Sequence, residues 1–263
     1  MVCRAMAARA GGSRAQRRLR LSRVRRPGIL VFARLSSRRL PGKVLMDIAG
    51  RPMLEHVLQR LRRVPGGPRV VVATSDAAED RAIAEFALAH GVGVHRGALA
   101  NVAARALAAA KAHDFDVFVR ISADSPFIDP AMVGEALARH AEERPDLTTN
   151  VFPRSYPPGC SVEVVEQAAL ARALPEMNAE EQEHVTLHFY RRPADWRIVN
   201  LASSGGGHDG VHLAVDTPRD LARARAIAAA LGAEPFDAGL ARVAALARAY
   251  DRRSADMSGT SAP

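Results

Sequence analysis

The sequence predicts an α/β fold, a three-layer arrangement of a mostly parallel sheet with helices on both faces, and three observations predict it. Short continuous apolar runs, GILVFA (28–33), RVVVAT (69–74) and DVFVRIS (116–122), have the length and content of strands covered on both sides. Segments of helical apolar spacing separate them. Clusters rich in Gly, Pro, Ser and Asp follow the runs, as loops at strand ends require. The 263 residues suffice for one large domain or two small ones, and 48% hydrophobic with 25% charged residues is an ordinary globular balance.

GILVFA opens the sheet. Apolar residues at 53, 54, 57, 58 and 61 then share one helical face. RVVVAT is a second buried strand, and the Ala/Glu-rich segment after it is a helix that should stop near Gly91. VGVH (92–95) makes a short third strand, and Asn101 is placed to cap the next helix. DVFVRIS is the fourth strand, followed by Asp129-Pro130, a cap with proline at the first helical position. After Pro145 the rhythm loosens. LTTNV and SVEVV read as strands flanking the loop FPRSYPPGC, a helix is expected over Glu183 to Arg191, and WRIVNLA is another strand. HLAVD (212–216) is the expected last strand, after which Thr217-Pro218-Arg219-Asp220 opens a helix with a capping-box pattern. An Ala-rich helix over 238–250 closes the fold. PGGP (65–68) is a turn and SGGGHDG (204–210) a loop.

The net charge of +9 is concentrated at one end. Residues 1–26 hold nine arginines and no acid; since the chain has 37 basic and 28 acidic residues, 28 of each remain beyond them. The basic character therefore belongs to a leader. That leader reads as an organellar presequence, as a nucleic-acid-binding arm or, the reading favoured here, as an extension from an upstream start. Without it, a nucleic-acid partner has no support. The expected organisation is a disordered leader over 1–26, one domain over 27–250 and a disordered tail over 251–263. No apolar run approaches the ~18 residues a membrane helix needs, so no membrane partner is expected. Cys3 and Cys160 form no disulfide framework, which favours a reducing compartment and a cytoplasmic location.

The loop ARLSSRRLPGKVL (33–45) packs four cations, two serines and a Pro-Gly turn directly after a strand. Either it is a solvated basic loop, or it is shaped around a polyanion. In the second case backbone N–H groups near Ser36, Ser37 and Gly42 form an anion nest, Arg34, Arg39 and Lys43 supply charge, and Pro41-Gly42 aims Lys43 inward. Two further carboxylates stand at strand ends, Asp124 in SADSP and Asp216 in HLAVD. Each alone reads first as a turn or cap residue. Together, facing a cationic loop, they suit a magnesium-bound nucleoside triphosphate, because magnesium takes one or two carboxylates plus phosphate oxygens. His184 and His188 have i, i+4 spacing without the HExxH pattern, so a helix face is favoured over zinc.

ARLSSRRLPGKVL, DIAGRPMLEHV, ATSD, VRISADSPFIDP, YPPGCSVEV, EHVTLHFY and LAVDTPRDL occur in an order that closely resembles the CTP-dependent acidic-sugar cytidylyltransferases. The resemblance covers roughly residues 28–232 and is greatest to the spore coat polysaccharide biosynthesis protein F branch. It implies a single domain of the kind shared by nucleotide-diphospho-sugar transferases. It implies further that Arg34, Ser37, Arg39, Gly42 and Lys43 bind the nucleotide, with Lys43, Arg39 and Asp124 as the catalytic group. Asp124 and Asp216 correspond to the magnesium ligands, and Arg120, Glu183 and His184 fall on the substrate side. The implied partners are CTP and an acidic sugar of the nonulosonate or 3-deoxy-manno-octulosonate kind, with a homodimer as the expected assembly. The implied reaction is in-line transfer of CMP with release of pyrophosphate, for surface polysaccharide synthesis. The alternatives are a glycosyltransferase or another nucleotidyltransferase on the same fold, or a non-catalytic nucleotide-binding relative. Four positions depart from the pattern. Ala123 replaces a glycine, Phe32 a polar residue or proline, Arg38 a small hydroxyl residue and Ser161 an aspartate; all bear on base and sugar specificity.

Overall fold

GILVF becomes the middle of the molecule because it has neighbours on both edges and layers on both faces. The structure, a computed structural model, describes residues 25–203, 210–232 and 235–259. The expected leader up to residue 24 and nearly all of the 204–210 loop lie outside the described residues. Strand β1 (Pro27–Phe32) has Ile29, Leu30 and Val31 fully buried. Parallel to it, in residue-for-residue register, run β4 (Arg69–Ser75) on one side and β6 (Val117–Ser122) on the other. Strand β5 (Gly93–Gly97) extends the parallel part beyond β4. Beyond β6 the direction reverses. Strand β8 (Glu163–Glu166) is antiparallel to both β6 and β7 (Leu147–Thr149), and β9 (Ile198–Asn200) closes the edge, giving the order β5-β4-β1-β6-β8-β7-β9. A small hairpin of β2 (Asp47–Ile48) and β3 (Arg51–Pro52) stands apart.

Alternation along the strands divides the core into two layers. Ile29 and Val31 face α1 (Met53–Leu61), α2 (Arg81–Ala89) and α4 (Pro130–Glu143), where Leu54, Leu58, Ile83 and Val133 cover them. Leu30 and Phe118 face α3 (Val102–Ala112), α5 (Gln167–Ala173) and the short helix α7 (Leu187–Arg191), where Ala103, Ala106, Leu170 and Phe189 cover them. A third apolar cluster joins α8 (Pro218–Leu231) and α9 (Leu240–Gly259) to Leu213 and Val215. No helix among the described residues is long and apolar enough to cross a membrane.

The caps stand where the sequence placed them. Asn101 accepts from Ala104 N at 2.8 Å, Asp129 from Ala131 N at 2.9 Å, and Thr217 and Asp220 form a reciprocal capping box. Cys160 is a buried thiol whose pKa burial pushes up to about 12, which leaves it inert.

Four expectations are corrected. HLAVD is not a strand: Val211, Leu213 and Val215 alternate into the core as a strand would, but the N–H groups of Leu213, Ala214 and Val215 meet isolated carbonyls, those of Pro158 and Asp124, instead of a partner strand. The helix expected over Glu183–Arg191 is two short ones, α6 (Ala179–Glu183) and α7, separated at His184–Thr186. Helix α9 runs on to Gly259, so the boundary drawn after Tyr250 falls inside a helix. At the other end Arg25 and Arg26 already pair with Glu166 and with Asp114 and Asp116, so the fold begins before residue 27.

Candidate active site

Strand order reverses between β1 and β6, the point at which open α/β sheets hold ligands beyond the carboxyl ends of their strands. A cleft of about 500 Å³ lies there. One wall is the loop that leaves β1. Its course is set by Asp80, fully buried at the start of α2, which accepts a hydrogen bond from Leu35 N at 2.7 Å and another from the Ser75 hydroxyl. Leu35 O in turn accepts from Ser37 N at 2.8 Å and from Gly42 N at 2.9 Å. Of the anion nest expected around Ser36, Ser37 and Gly42, the N–H groups of Ser37 and Gly42 are not available, since both are spent on closing the loop. The Pro41-Gly42 turn does what was expected of it. Gly42 adopts φ +73°, which glycine tolerates without strain, and a short 3-10 turn (Lys43–Leu45) follows that carries Lys43 inward.

Lys43 is 7% exposed, and its ammonium makes three contacts. It donates to Asp124 Oδ2 at 2.8 Å, to Asp216 Oδ1 at 2.9 Å and to Val215 O at 2.8 Å. The two carboxylates, 92 positions apart in the chain, thus converge on one cation. Arg39, largely exposed, reaches the second oxygen of Asp216 at 3.0 Å. Both residues are also anchored through their backbones. Val215 N donates to Asp124 O at 2.9 Å, and Asp216 N donates to the Asp220 carboxylate at 3.2 Å.

Gly159 permits this convergence. Leu213 N and Ala214 N both donate to Pro158 O, at 2.7 and 3.1 Å, and a Cβ on Gly159 would lie 2.3 Å from Ala214 N. Its φ of +92° also excludes ordinary side chains. Gly159→Ala is expected to displace the segment that carries Asp216, costing about 1–3 kcal/mol of stability. Chemical denaturation measures the loss, and nucleotide binding should fall with it.

On the far flank Arg120 is held by Glu163, which is 3% exposed and also accepts from Thr186 Oγ1 and Tyr190 OH, each at 2.6 Å. Burial alone would raise the Glu163 pKa; the Arg120 charge and the two hydroxyls outweigh it and hold the carboxyl below its ordinary range. The same pairing, against burial, raises the pKa of Arg120. The Tyr190 hydroxyl is pushed up by burial and by the charge of Glu163. The Arg120 guanidinium lies 5.9 Å from the centre of the Phe32 ring, a cation–π distance. Glu183 and His184 sit together at the end of α6. Arg34 donates to Glu183 Oε1 at 3.1 Å, and this hydrogen bond lowers the Glu183 pKa, whereas His184 is exposed at the rim.

The structure thus brings Arg34, Ser37, Arg39, Lys43, Arg120, Asp124, Glu183, His184 and Asp216 to one cleft, with Gly42 acting behind it as a hinge for Lys43. Sequence reading passed over Glu163, Tyr190, Asp80 and Arg105. A signal existed for Glu163, a single acid in the otherwise apolar SVEVV. Asp80 and Tyr190 carried none.

The donor set fits a magnesium ion. Two carboxylates already face a common cation, the Lys43 ammonium, and hard oxygen donors of this kind suit magnesium. No cluster of three or more His, Cys, Asp or Glu side chains that would hold a metal occurs among the described residues. The remaining ligands would therefore be water and phosphate.

A parallel sheet reversing beside an antiparallel strand, with a lysine bridging two aspartates beyond the carboxyl ends of β1 and β6, suits nucleotidyl transfer. Comparison with known proteins makes the class specific. Residues 29–227 match the cytidylyltransferase family, and the chain belongs to that family of CTP-using nucleotidyltransferases. Among its relatives, 3-deoxy-manno-octulosonate cytidylyltransferase of Chlorobium phaeobacteroides (strain BS1) is 32% identical over 186 residues, 70% of this chain and 71% of that one. Spore coat polysaccharide biosynthesis protein SpsF of Bacillus subtilis (strain 168) is 28% identical over 213 residues, 78% of this chain and 88% of that one. The solved structure of a cytidylyltransferase from Leptospira borgpetersenii serovar Hardjo-bovis (strain JB197) superposes with a TM-score of 0.79 at 24% identity. That match covers 88% of this chain and 96% of the other, a likeness of fold.

Proposed function

We propose that the protein transfers CMP from CTP to a hydroxyl of an acidic sugar and releases pyrophosphate. The observation that carries this reading is the charge of the cleft. Six cationic side chains line it, Arg34, Arg38, Arg39, Lys43, Arg105 and Arg120, against three carboxylates, Asp124, Glu183 and Asp216. A surplus of three positive charges opposes a triphosphate of about four negative charges and one sugar carboxylate, offset by one divalent cation. The charges balance only with all three ligands present.

In this reading Lys43, Arg39 and Arg34 bind the triphosphate, and Ser37 offers its hydroxyl at the turn of the loop. Asp124 and Asp216 would hold magnesium, which would supply Lewis-acid neutralisation of the transferring and leaving oxygens. Lys43, already between the two carboxylates, is preorganised to meet negative charge as it grows on the phosphate oxygens. Arg120, locked by Glu163, faces the acceptor side, where its charge suits a sugar carboxylate. Glu183 and His184 border that side. No covalent intermediate on the protein is required; positioning and electrostatics carry the step. The reaction belongs in the cytoplasm, as the activation that precedes assembly of a surface polysaccharide.

The test is thermal unfolding of the full chain with CTP, UTP, ATP or GTP, with and without magnesium. CTP with magnesium is expected to raise Tm by several degrees, as ligand at about 100 Kd adds about 2.7 kcal/mol. Equal shifts with all four nucleotides, or none with any, would discard the reading. A screen of sugar acids for pyrophosphate release then identifies the acceptor.

A further inference from the structure

Arg105, on α3, is 3% exposed and lines the same cleft. Among the described residues no carboxylate forms an ion pair with it. Its Nη1 donates to the backbone carbonyls of Ala98 and Leu99, and its Nε meets no acceptor. The other deeply buried arginines are accounted for structurally. Arg223 pairs with Asp220 and Asp251. Arg60 spends both terminal nitrogens on the carbonyls of Ala238 and Pro235. Arg60 and Arg120 also keep an unpartnered Nε, but Arg60 lies outside the cleft and Arg120 is neutralised by Glu163; among the described cleft residues Arg105 is the deeply buried arginine that no carboxylate bonds. Asp80 and Asp76 attract this guanidinium only at a distance, and burying it without a bonded carboxylate is costly, which favours a ligand that takes up its remaining donors.

Its place in the sheet narrows the ligand. Helix α3 packs on β5, β4 and β1, and Arg105 itself bonds the carbonyls of Ala98 and Leu99 just past β5 and lies against Gly97, so its guanidinium stands at the β5 side of the cleft, whereas Arg120 and Glu163 pair across β6 and β8. The lysine and the two carboxylates lie between, at the ends of β1 and β6. A triphosphate centred on Lys43 with its acceptor beside Arg120 leaves the Arg105 flank for the nucleoside. Val102 precedes Arg105 by one turn of the same helix and also lines the cleft, offering an apolar contact.

We propose that Arg105 reads the nucleobase, its guanidinium fork donating to two adjacent acceptors on a pyrimidine edge, O2 and N3 of cytosine. The inference rests on the CTP-dependent function proposed above. Uracil carries a proton on N3 and meets the fork donor to donor, so Arg105 separates CTP from UTP.

The experiment is calorimetric titration of the full chain and of Arg105→Lys and Arg105→Gln, in magnesium, with CTP, UTP and inorganic tripolyphosphate. The lysine variant keeps charge and stem but removes the fork; tripolyphosphate reports whether the phosphate end remains built. Wild type is expected to prefer CTP over UTP. Both variants should lose CTP affinity by about tenfold or more, with the CTP-to-UTP ratio falling towards one, and tripolyphosphate affinity unchanged in the lysine variant, which keeps the charge. Parallel loss of CTP and tripolyphosphate affinity in the lysine variant would make Arg105 a phosphate or structural residue and overturn the inference. An unchanged CTP-to-UTP ratio would overturn it too. Wild-type protein that binds tripolyphosphate but shows no preference for CTP would remove the proposed function itself.

Discussion

Replacing Asp124 with asparagine is expected to lower magnesium-dependent pyrophosphate release about a thousandfold, the scale of losing one preorganised stabiliser of transition-state charge. The carboxylate is one of two anions that converge on the Lys43 ammonium, at 2.8 Å in its case. Asparagine keeps the shape and one oxygen but halves the negative charge of the proposed magnesium site. Lys43 retains Val215 O and Asp216, so the loop should keep its course. The variant also makes a prediction of opposite sign. Removing one negative charge from a cleft already rich in cations should leave affinity for metal-free CTP unchanged or stronger, while the part of binding that depends on magnesium disappears. Titration with and without EDTA measures both. Loss of CTP affinity in EDTA would mean that Asp124 organises the loop and is not a metal ligand.

Glu163→Gln is expected to cost about 3–5 kcal/mol of stability, a large share of the ~5–15 kcal/mol that holds a domain together. The carboxylate accepts from Arg120, Thr186 and Tyr190 at a site that is 3% exposed. The amide leaves the Arg120 charge without its partner and places an NH₂ group against donors. Tyr190→Phe removes one hydroxyl from the same network and should cost only about 1–2 kcal/mol. The double variant Arg120→Met/Glu163→Leu removes the buried pair as a whole and should recover part of the stability lost by Glu163→Gln, because breaking a buried pair costs more than replacing it. Urea denaturation followed by circular dichroism orders the three. Equal stability of Glu163→Gln and wild type would show that Arg120 is compensated elsewhere.

Much of this molecule was legible in local chemistry. The apolar runs became β1, β4 and β6, within one or two residues of the expected limits, because a strand buried on both faces has no other use for GILVF or VFVRIS. Asn101, Asp129 and Thr217 cap their helices because a side-chain oxygen reaches N–H groups only two or three residues away. Clustered charge in 33–45, and single aspartates at strand ends, marked the cleft for the same reason: these are short-range patterns.

What failed was long-range. Residues 211–216 have the alternation of a strand, and Val211, Leu213 and Val215 are buried accordingly. Alternation decides which side chains face the core; a ladder needs a partner strand, and the fold offers only the carbonyls of Pro158 and Asp124. Ser37 and Gly42 looked like free anion donors until Leu35 O claimed both N–H groups. The Arg120–Glu163 pair spans 43 positions, and Lys43 meets carboxylates 81 and 173 positions away. Periodicity carries no information across such separations. Only packing of the layers brings those groups within hydrogen-bond distance, and there burial turns ordinary side chains into a fixed charge arrangement.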